Sequence, residues 1–439
     1  MIPVIRATFI ILRENTQSAR MVLIYSPKTS ARLTYILDEI FVNRLGMPYT
    51  IAENTATFID SDVQIKINYS AESLPGFQVV PTSLLFETAI DPYHVPPISR
   101  QAYGYVLYPN QTQGFDIFAM AFWFLSRYEE YQAFTPDTHG RFEPKASVFK
   151  KYELHKNPSL DLALHAFYQQ LQVSIPKKRG IYPTLDIDIA FKHRGRGPIR
   201  FLGGLLKNGK QDAIERIKTL FGAADPFDSF DYIHRALEPL KKQVRIFIHA
   251  GGYGTWDKPI PLRNKAYHRI LQKLAQSFTI GLHPDYAGGQ FAASIRKQKL
   301  RLENALHIQI DRSRQHFLKQ QYPHTGMQLQ EAGILHDYTM GFASDTGFRA
   351  GTAHSFRLFN LHTNTTETLI IHPFCLMDVS LKNYMQCNTE VAIGEVKRMQ
   401  GILAEIEAPF CFIFHNESLG NSGEWKNWRT VFEQCISGM

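Results

Sequence analysis

Asp186 and Asp188 stand two residues apart in the run Thr184-Leu-Asp-Ile-Asp-Ile189. Side chains of an extended strand alternate between its faces, so both carboxylates share one face and Leu185 and Ile187 take the other. Two carboxylates inside an apolar strand are costly to bury unless a metal, a proton or nearby cations compensate. Three histidines also close apolar runs: His249 before Ala-Gly-Gly, His283 in Gly281-Leu-His-Pro-Asp285, and His415 in Phe414-His-Asn-Glu417. Neutral imidazoles with one carboxylate, and a position open for water, are what a divalent metal requires. A second carboxylate beside such a set can take a proton from that water. Arg349, in Gly347-Phe-Arg-Ala-Gly-Thr352, adds a cation flanked by small residues.

Positioning these groups together requires strands that end at one mouth. Strand-like runs at 182–189, 244–249, 278–282, 338–343, 356–361, 368–372 and 410–414 are interspersed with helical stretches at 211–220, 267–277, 292–320 and 392–407. Such a pattern describes a parallel α/β sheet or barrel, in which ligands bind at the C-terminal strand ends. Upstream, strands are expected at 5–12, 21–25, 56–59, 63–69 and 104–107, and helices at 31–45, 115–131 and 160–173, with a loop over 137–151. The Pro-, Gly- and charge-rich break at 174–180 divides the chain into an N-terminal α/β domain, 1–175, and a second domain, 181–439.

Composition narrows the class. The chain has 439 residues, a formal charge of +8 and 44% apolar residues, which excludes a disordered polymer. Thirteen of the 17 histidines fall between His193 and His415, in the second domain. The one dense basic run, Lys192 to Arg200, has no accompanying stripe of Arg and aromatics, so nucleic acid is not expected as a partner. Its place directly after the Asp pair suits steering an anionic ligand. Cys375, Cys387, Cys411 and Cys435 match no CxxC pattern and read as reduced thiols of a cytoplasmic protein. The run MIPVIRATFIILREN, broken at Arg6 and Arg13, is too short and too charged for a signal peptide or a membrane span. GxSxG, HExxH, Walker A and GxGxxG signatures are absent, which disfavours serine hydrolases, zincins, P-loop proteins and Rossmann enzymes.

From about Tyr182 onward the chain resembles the polysaccharide deacetylase (NodB-homology) superfamily, and within it the bacterial two-domain deacetylase-like group with an extra N-terminal domain. The resemblance rests on Thr-Leu-Asp186-Ile-Asp188, Gly-Leu-His283-Pro-Asp285, Gly-Phe-Arg349-Ala-Gly-Thr and Phe-Ile-Phe-His415. The segments Asp225-Pro-Phe-Asp-Ser-Phe-Asp231 and Arg127-Tyr-Glu-Glu-Tyr131 look like those of the narrower group. It implies a distorted (β/α)7 barrel that binds a divalent metal, zinc above all with cobalt or manganese as alternatives, and hydrolyses acetyl groups on sugars. It further implies Asp186 as general base, Asp188 and His283 as metal ligands, Arg349 as the partner of Asp186, and His415 as general acid. The second motif of the superfamily supplies another histidine four residues after the first, and here that position is Ala287. Asp285 or His249 is then the candidate third ligand. The alternative reading is a deacetylase-fold protein without catalysis that binds a glycan or a related ligand; a third is an interaction role for the N-terminal domain.

Overall fold

The computed structural model describes residues 21–52, 54–110, 114–195 and 209–438. The expected strand at 5–12, and residues 196–200 of the basic run, lie outside the described residues. Strands β1 (Val22–Tyr25), β2 (Tyr49–Ala52), β3 (Ile65–Asn68) and β4 (Phe77–Gln78) form a parallel sheet in the order β2-β1-β3-β4. A hairpin, β5 (Ile98–Gln101) and β6 (Gly104–Leu107), follows it. The helix Ile117–Leu125 is buried at every position, which its unbroken apolar run requires. Residues 55–60 are helical where a strand is expected, because the Asn54 side chain accepts the Thr57 N–H at 2.9 Å and caps a helical turn.

The second sheet has nine strands: β7 (Gly180–Ile187), β8 (Arg245–His249), β9 (Thr279–His283), β10 (Arg312–Ser313), β11 (His336–Asp337), β12 (Phe356–Asn360), β13 (Thr365–Ile371), β14 (Leu376–Met377) and β15 (Pro409–His415). Their order is β12-β13-β11-β10-β9-β8-β7-β15-β14, and every pairing is parallel except β12 with β13. Among the described residues a closed (β/α)7 barrel is not seen. β12 folds back on β13 as a hairpin and β14 is two residues long, so these two edges do not join.

The expected helix over 292–320 ends at Leu306, where His307 takes the left-handed conformation with φ 56°. β10 follows it. The strand expected at 338–343 does not form there; the short strand β11, His336–Asp337, lies just before it. Both short strands lie in the middle of the sheet, where two paired residues suffice because neighbours on each side hold them.

The two sheets share one continuous buried apolar cluster. Tyr35 and Phe122 both pack on Phe359, with ring centroids 4.9 and 5.2 Å apart. Much of the polar joint is made by the loop Gly347-Phe-Arg-Ala-Gly-Thr352. The Phe348 N–H donates to the His155 carbonyl at 2.7 Å, and a Cβ on Gly347 (φ 137°) would lie 2.2 Å from that same oxygen. Next to it, the buried Asp161 carboxylate accepts Arg44 Nη1 at 2.6 Å, the Thr352 hydroxyl at 2.6 Å and the Ala353 N–H at 2.7 Å.

Burial alone would raise the Asp161 pKa, but Arg44 and His354 outweigh it and hold the carboxyl well below its ordinary range. A depressed folded-state pKa gives stability that is complete above the unfolded value, about 3.9, and is lost as pH falls below it. Unfolding free energy from urea titrations should therefore drop between pH 5 and 3 more steeply in the wild type than in Asp161→Asn. Equal slopes would mean that Asp161 is not held in its charged form.

Candidate metal centre

Parallel pairing brings the ends of β7, β9, β10, β14 and β15 to one mouth. In register, His415 lies opposite Asp186 and His249 opposite His283. Asp188, just beyond β7, has Oδ1 3.1 Å from His283 Nε2 and Oδ2 3.3 Å from His316 Nε2. One ligand atom from each of Asp188, His283 and His316 lies within 4.8 Å of the others.

Both imidazoles are held from behind. His283 Nδ1 donates to the Arg314 carbonyl at 2.7 Å and His316 Nδ1 donates to Asp257 Oδ1 at 2.8 Å, so each turns Nε2 toward Asp188. Asp257 Oδ1 also accepts His249 Nε2 at 2.9 Å and the Tyr286 N–H at 3.0 Å. Asp188 Oδ1 is buried and has no hydrogen-bond donor among the described residues. Two oriented imidazoles and one carboxylate, whose Oδ1 is buried and unsatisfied, fit a divalent cation, with the outer partners fixing ring orientation.

The electrostatics agree with that fit. Burial works against charge on His316, but the flanking Asp188 and Asp257 raise its pKa to about 9. Burial would raise Asp188, yet His316 and His283 hold it well below the usual carboxylate range. The negative field of Asp188 and Asp257 that raises His316 favours a cation, which would take the place of the Nε2 proton.

Asp186 and His415 border the same cavity of about 220 Å³, with Phe317, Tyr384 and Trp425 as aromatic walls. Arg314 Nη1 donates to Asp186 Oδ1 at 2.8 Å and Nη2 to the Thr184 hydroxyl at 2.8 Å, leaving Asp186 Oδ2 4.0 Å from His283 Nε2. His415 Nδ1 donates to Asp378 Oδ1 at 2.8 Å, and its Nε2 lies 3.8 Å from Asp188 Oδ2. Burial opposes charge on His415, but Asp378 first, then Asp188 and Asp186, hold its pKa well above the ordinary value. Immediately after His316, Phe317 and Leu318 both take left-handed φ of 60° and 55°. Bulky residues in this region cost about 1–3 kcal/mol each and cluster at functional sites.

Of the residues expected from sequence, Asp186, Asp188, His283 and His415 meet here, and two do not. Arg349 is not beside Asp186. Its Nη2 and Nε donate to Glu130 at 2.6 and 2.9 Å, and the partner of Asp186 is Arg314. Asp285 is not within ligating distance of the group, because its Oδ1 accepts the Gly288 N–H at 2.5 Å and caps the turn after β9. His249 stands one hydrogen bond further back, on Asp257. His316, Arg314, Asp257 and Asp378 were not distinguishable from the helix and loops around them. One signal was present: Ile308 and Ile310 alternate with polar residues, which breaks the helical period before β10.

Residues 22–176 match the model of a family of unknown function (DUF7033). No curated protein matches the chain. Solved structures it is similar to include a polysaccharide deacetylase and pseudoenzymes of the CE4 family. A protein from Mycobacterium smegmatis described as a polysaccharide deacetylase is 14% identical, with a TM-score of 0.37, over 60% of this chain and 85% of its own. A CE4 family pseudoenzyme from Bacillus anthracis is 10% identical, with a TM-score of 0.28, over 48% of this chain and 57% of its own. A mutant of that pseudoenzyme with restored enzymatic activity is 9% identical, with a TM-score of 0.29, over 58% of this chain and 62% of its own. Among the described residues no helix is long and apolar enough to cross a membrane.

Proposed function

We propose that the protein is a metal-dependent hydrolase that removes an acetyl group from a carbohydrate. The observation that carries this reading is the convergence of Asp188, His283 and His316 with two further groups that can move protons, Asp186 and His415, on one cavity. A divalent cation held by Asp188, His283 and His316 would supply Lewis acidity. Asp186, anchored at Oδ1 by Arg314, offers Oδ2 to take a proton from a water attacking the acetyl carbon. The carbonyl carbon becomes tetrahedral as the C–O bond to water forms. His415, held protonated by Asp378, gives its Nε2 proton to the sugar nitrogen or oxygen as the bond to the acyl carbon breaks. Acetate leaves, and the proton on Asp186 returns the pair to its starting state through solvent. Phe317, Tyr384 and Trp425 offer apolar faces to a sugar ring at the cavity wall.

The test is acetate release from N- and O-acetylated oligosaccharides by the zinc-reconstituted protein. Asp186→Asn keeps the shape and removes the base, so kcat should fall about 10²–10⁴-fold while zinc content stays at the wild-type value. If no substrate releases acetate faster with the wild type than with Asp186→Asn, the protein is a binding module on this fold and not a hydrolase.

A further inference from the structure

A second cavity, of about 350 Å³, lies away from the metal centre. It sits at the start of β7, β8 and β15, beside the ends of β11 and β13 and next to the segment that joins the two sheets. Its polar lining includes Lys178, Arg245, His354, His372, Tyr182 and Ser355, and among the described residues no carboxylate lines it.

Three observations describe its chemistry. Arg245 anchors Nη1 on the Lys242 and Val244 carbonyls at 2.8 and 3.0 Å, while its buried Nε has no hydrogen-bond partner. Lys178 is held at the rim by the Asn43 carbonyl, 2.9 Å from Nζ, an acceptor that leaves its charge uncompensated. The His372 ring stacks on Tyr338 at 4.2 Å and 9°, with Nδ1 2.7 Å from the Ser355 hydroxyl and Nε2 3.0 Å from His336 Nδ1. Burial first, then the neighbouring His336, Arg245 and Arg312, push the His372 pKa down to about 3. The cavity thus carries the charges of Arg245 and Lys178 with no carboxylate in its lining, Asp161 standing behind His354 at 3.4 Å, and has a buried donor waiting for an acceptor. Such a site selects an oxyanion, to which an arginine offers directional charge-assisted hydrogen bonds.

We propose that this cavity binds a phosphate group, as free phosphate or as the phosphate of a small sugar ester, with Arg245 as its principal donor and Lys178 at the entrance. The tyrosine and serine hydroxyls of the wall would serve the ester's hydroxyls, so the two sources separate by affinity. This site is independent of the metal centre and of the reaction proposed there. Thr184 is the nearest link, since it lines the cavity and also accepts Arg314 Nη2.

The experiment is calorimetric titration of the full-length protein with inorganic phosphate, glucose 6-phosphate and glucose, repeated on Arg245→Met, Lys178→Met and Asp188→Ala. Saturable binding of phosphate is expected for the wild type, tighter for the ester and absent for glucose. Arg245→Met should weaken it at least about tenfold, the worth of one charge-assisted hydrogen bond, and Lys178→Met several-fold, while both keep wild-type zinc content. Asp188→Ala should bind phosphate as the wild type does. If Arg245→Met does not fold, the exposed-rim variant Lys178→Met decides. Phosphate binding that survives both cavity variants, that is lost in Asp188→Ala, or that is absent from the wild type overturns the proposal. Tighter binding of the free ion than of the ester would assign the site to inorganic phosphate.

Discussion

Replacing His316 with alanine should strip the protein of its divalent cation while Asp285→Ala leaves it in place. The contrast follows from geometry: His316 Nε2 is 3.3 Å from Asp188 Oδ2, whereas Asp285 is spent on capping a turn. Two protein ligands are one fewer than catalytic zinc sites keep, so the loss should exceed what an outer partner costs. That smaller cost has its own probe. Asp257→Asn removes the carboxylate that receives His316 Nδ1 and should weaken zinc roughly 10–100-fold without abolishing it. Competition with a chromophoric chelator measures both. Equal zinc affinity in His316→Ala and the wild type would mean that the cation sits elsewhere.

The second large effect is on stability. Glu130 is buried between Arg127 Nε at 2.9 Å and Arg349 Nη2 at 2.6 Å, and burial's tendency to raise its pKa is overcome by these two guanidinium groups. Glu130→Gln leaves the buried Arg349 without its ion-pair partner and Arg127 with only Glu129, 3.7 Å away, and breaking a buried pair in this way costs about 3–5 kcal/mol. Arg349→Met should cost a similar amount and leave zinc content unchanged. Glu130→Leu combined with Arg349→Met should recover part of the loss, because the pair is removed together. Denaturant titration gives the stabilities. A stable Arg349→Met variant that has lost acetate release would return Arg349 to the chemistry and remove it from the joint between the sheets.

Asp186 and Asp188 were legible because period-two alternation in a long strand fixes their common face. His283 and His415 were legible because each closes an apolar strand long enough to recognise, and parallel pairing then carries all four to one mouth. His316 was hidden for a physical reason. Its strand, Arg312–Ser313, is two residues long and owes its existence to pairing with β9 and β11, which no local propensity reports. Arg349 misled for the converse reason. A loop of Gly, Phe, Arg, Ala and Gly is compatible with a catalytic cation, but here Gly347 and Arg349 are used to seat residues 130–155 against the second sheet, a long-range contact the local motif does not encode. The edge of the sheet was out of reach as well, since closure depends on whether β12 and β14 meet across the fold.

In the proposed site Asp188, His283 and His316 hold one divalent cation beside Asp186 and His415. Anomalous scattering at the zinc edge from crystals of the zinc-loaded protein measures this directly. The predicted result is a single strong peak bonded to one oxygen of Asp188 and to Nε2 of His283 and of His316, absent from crystals of Asp188→Ala. A peak bonded to Asp285 or to His249, or no peak at this mouth, would contradict it.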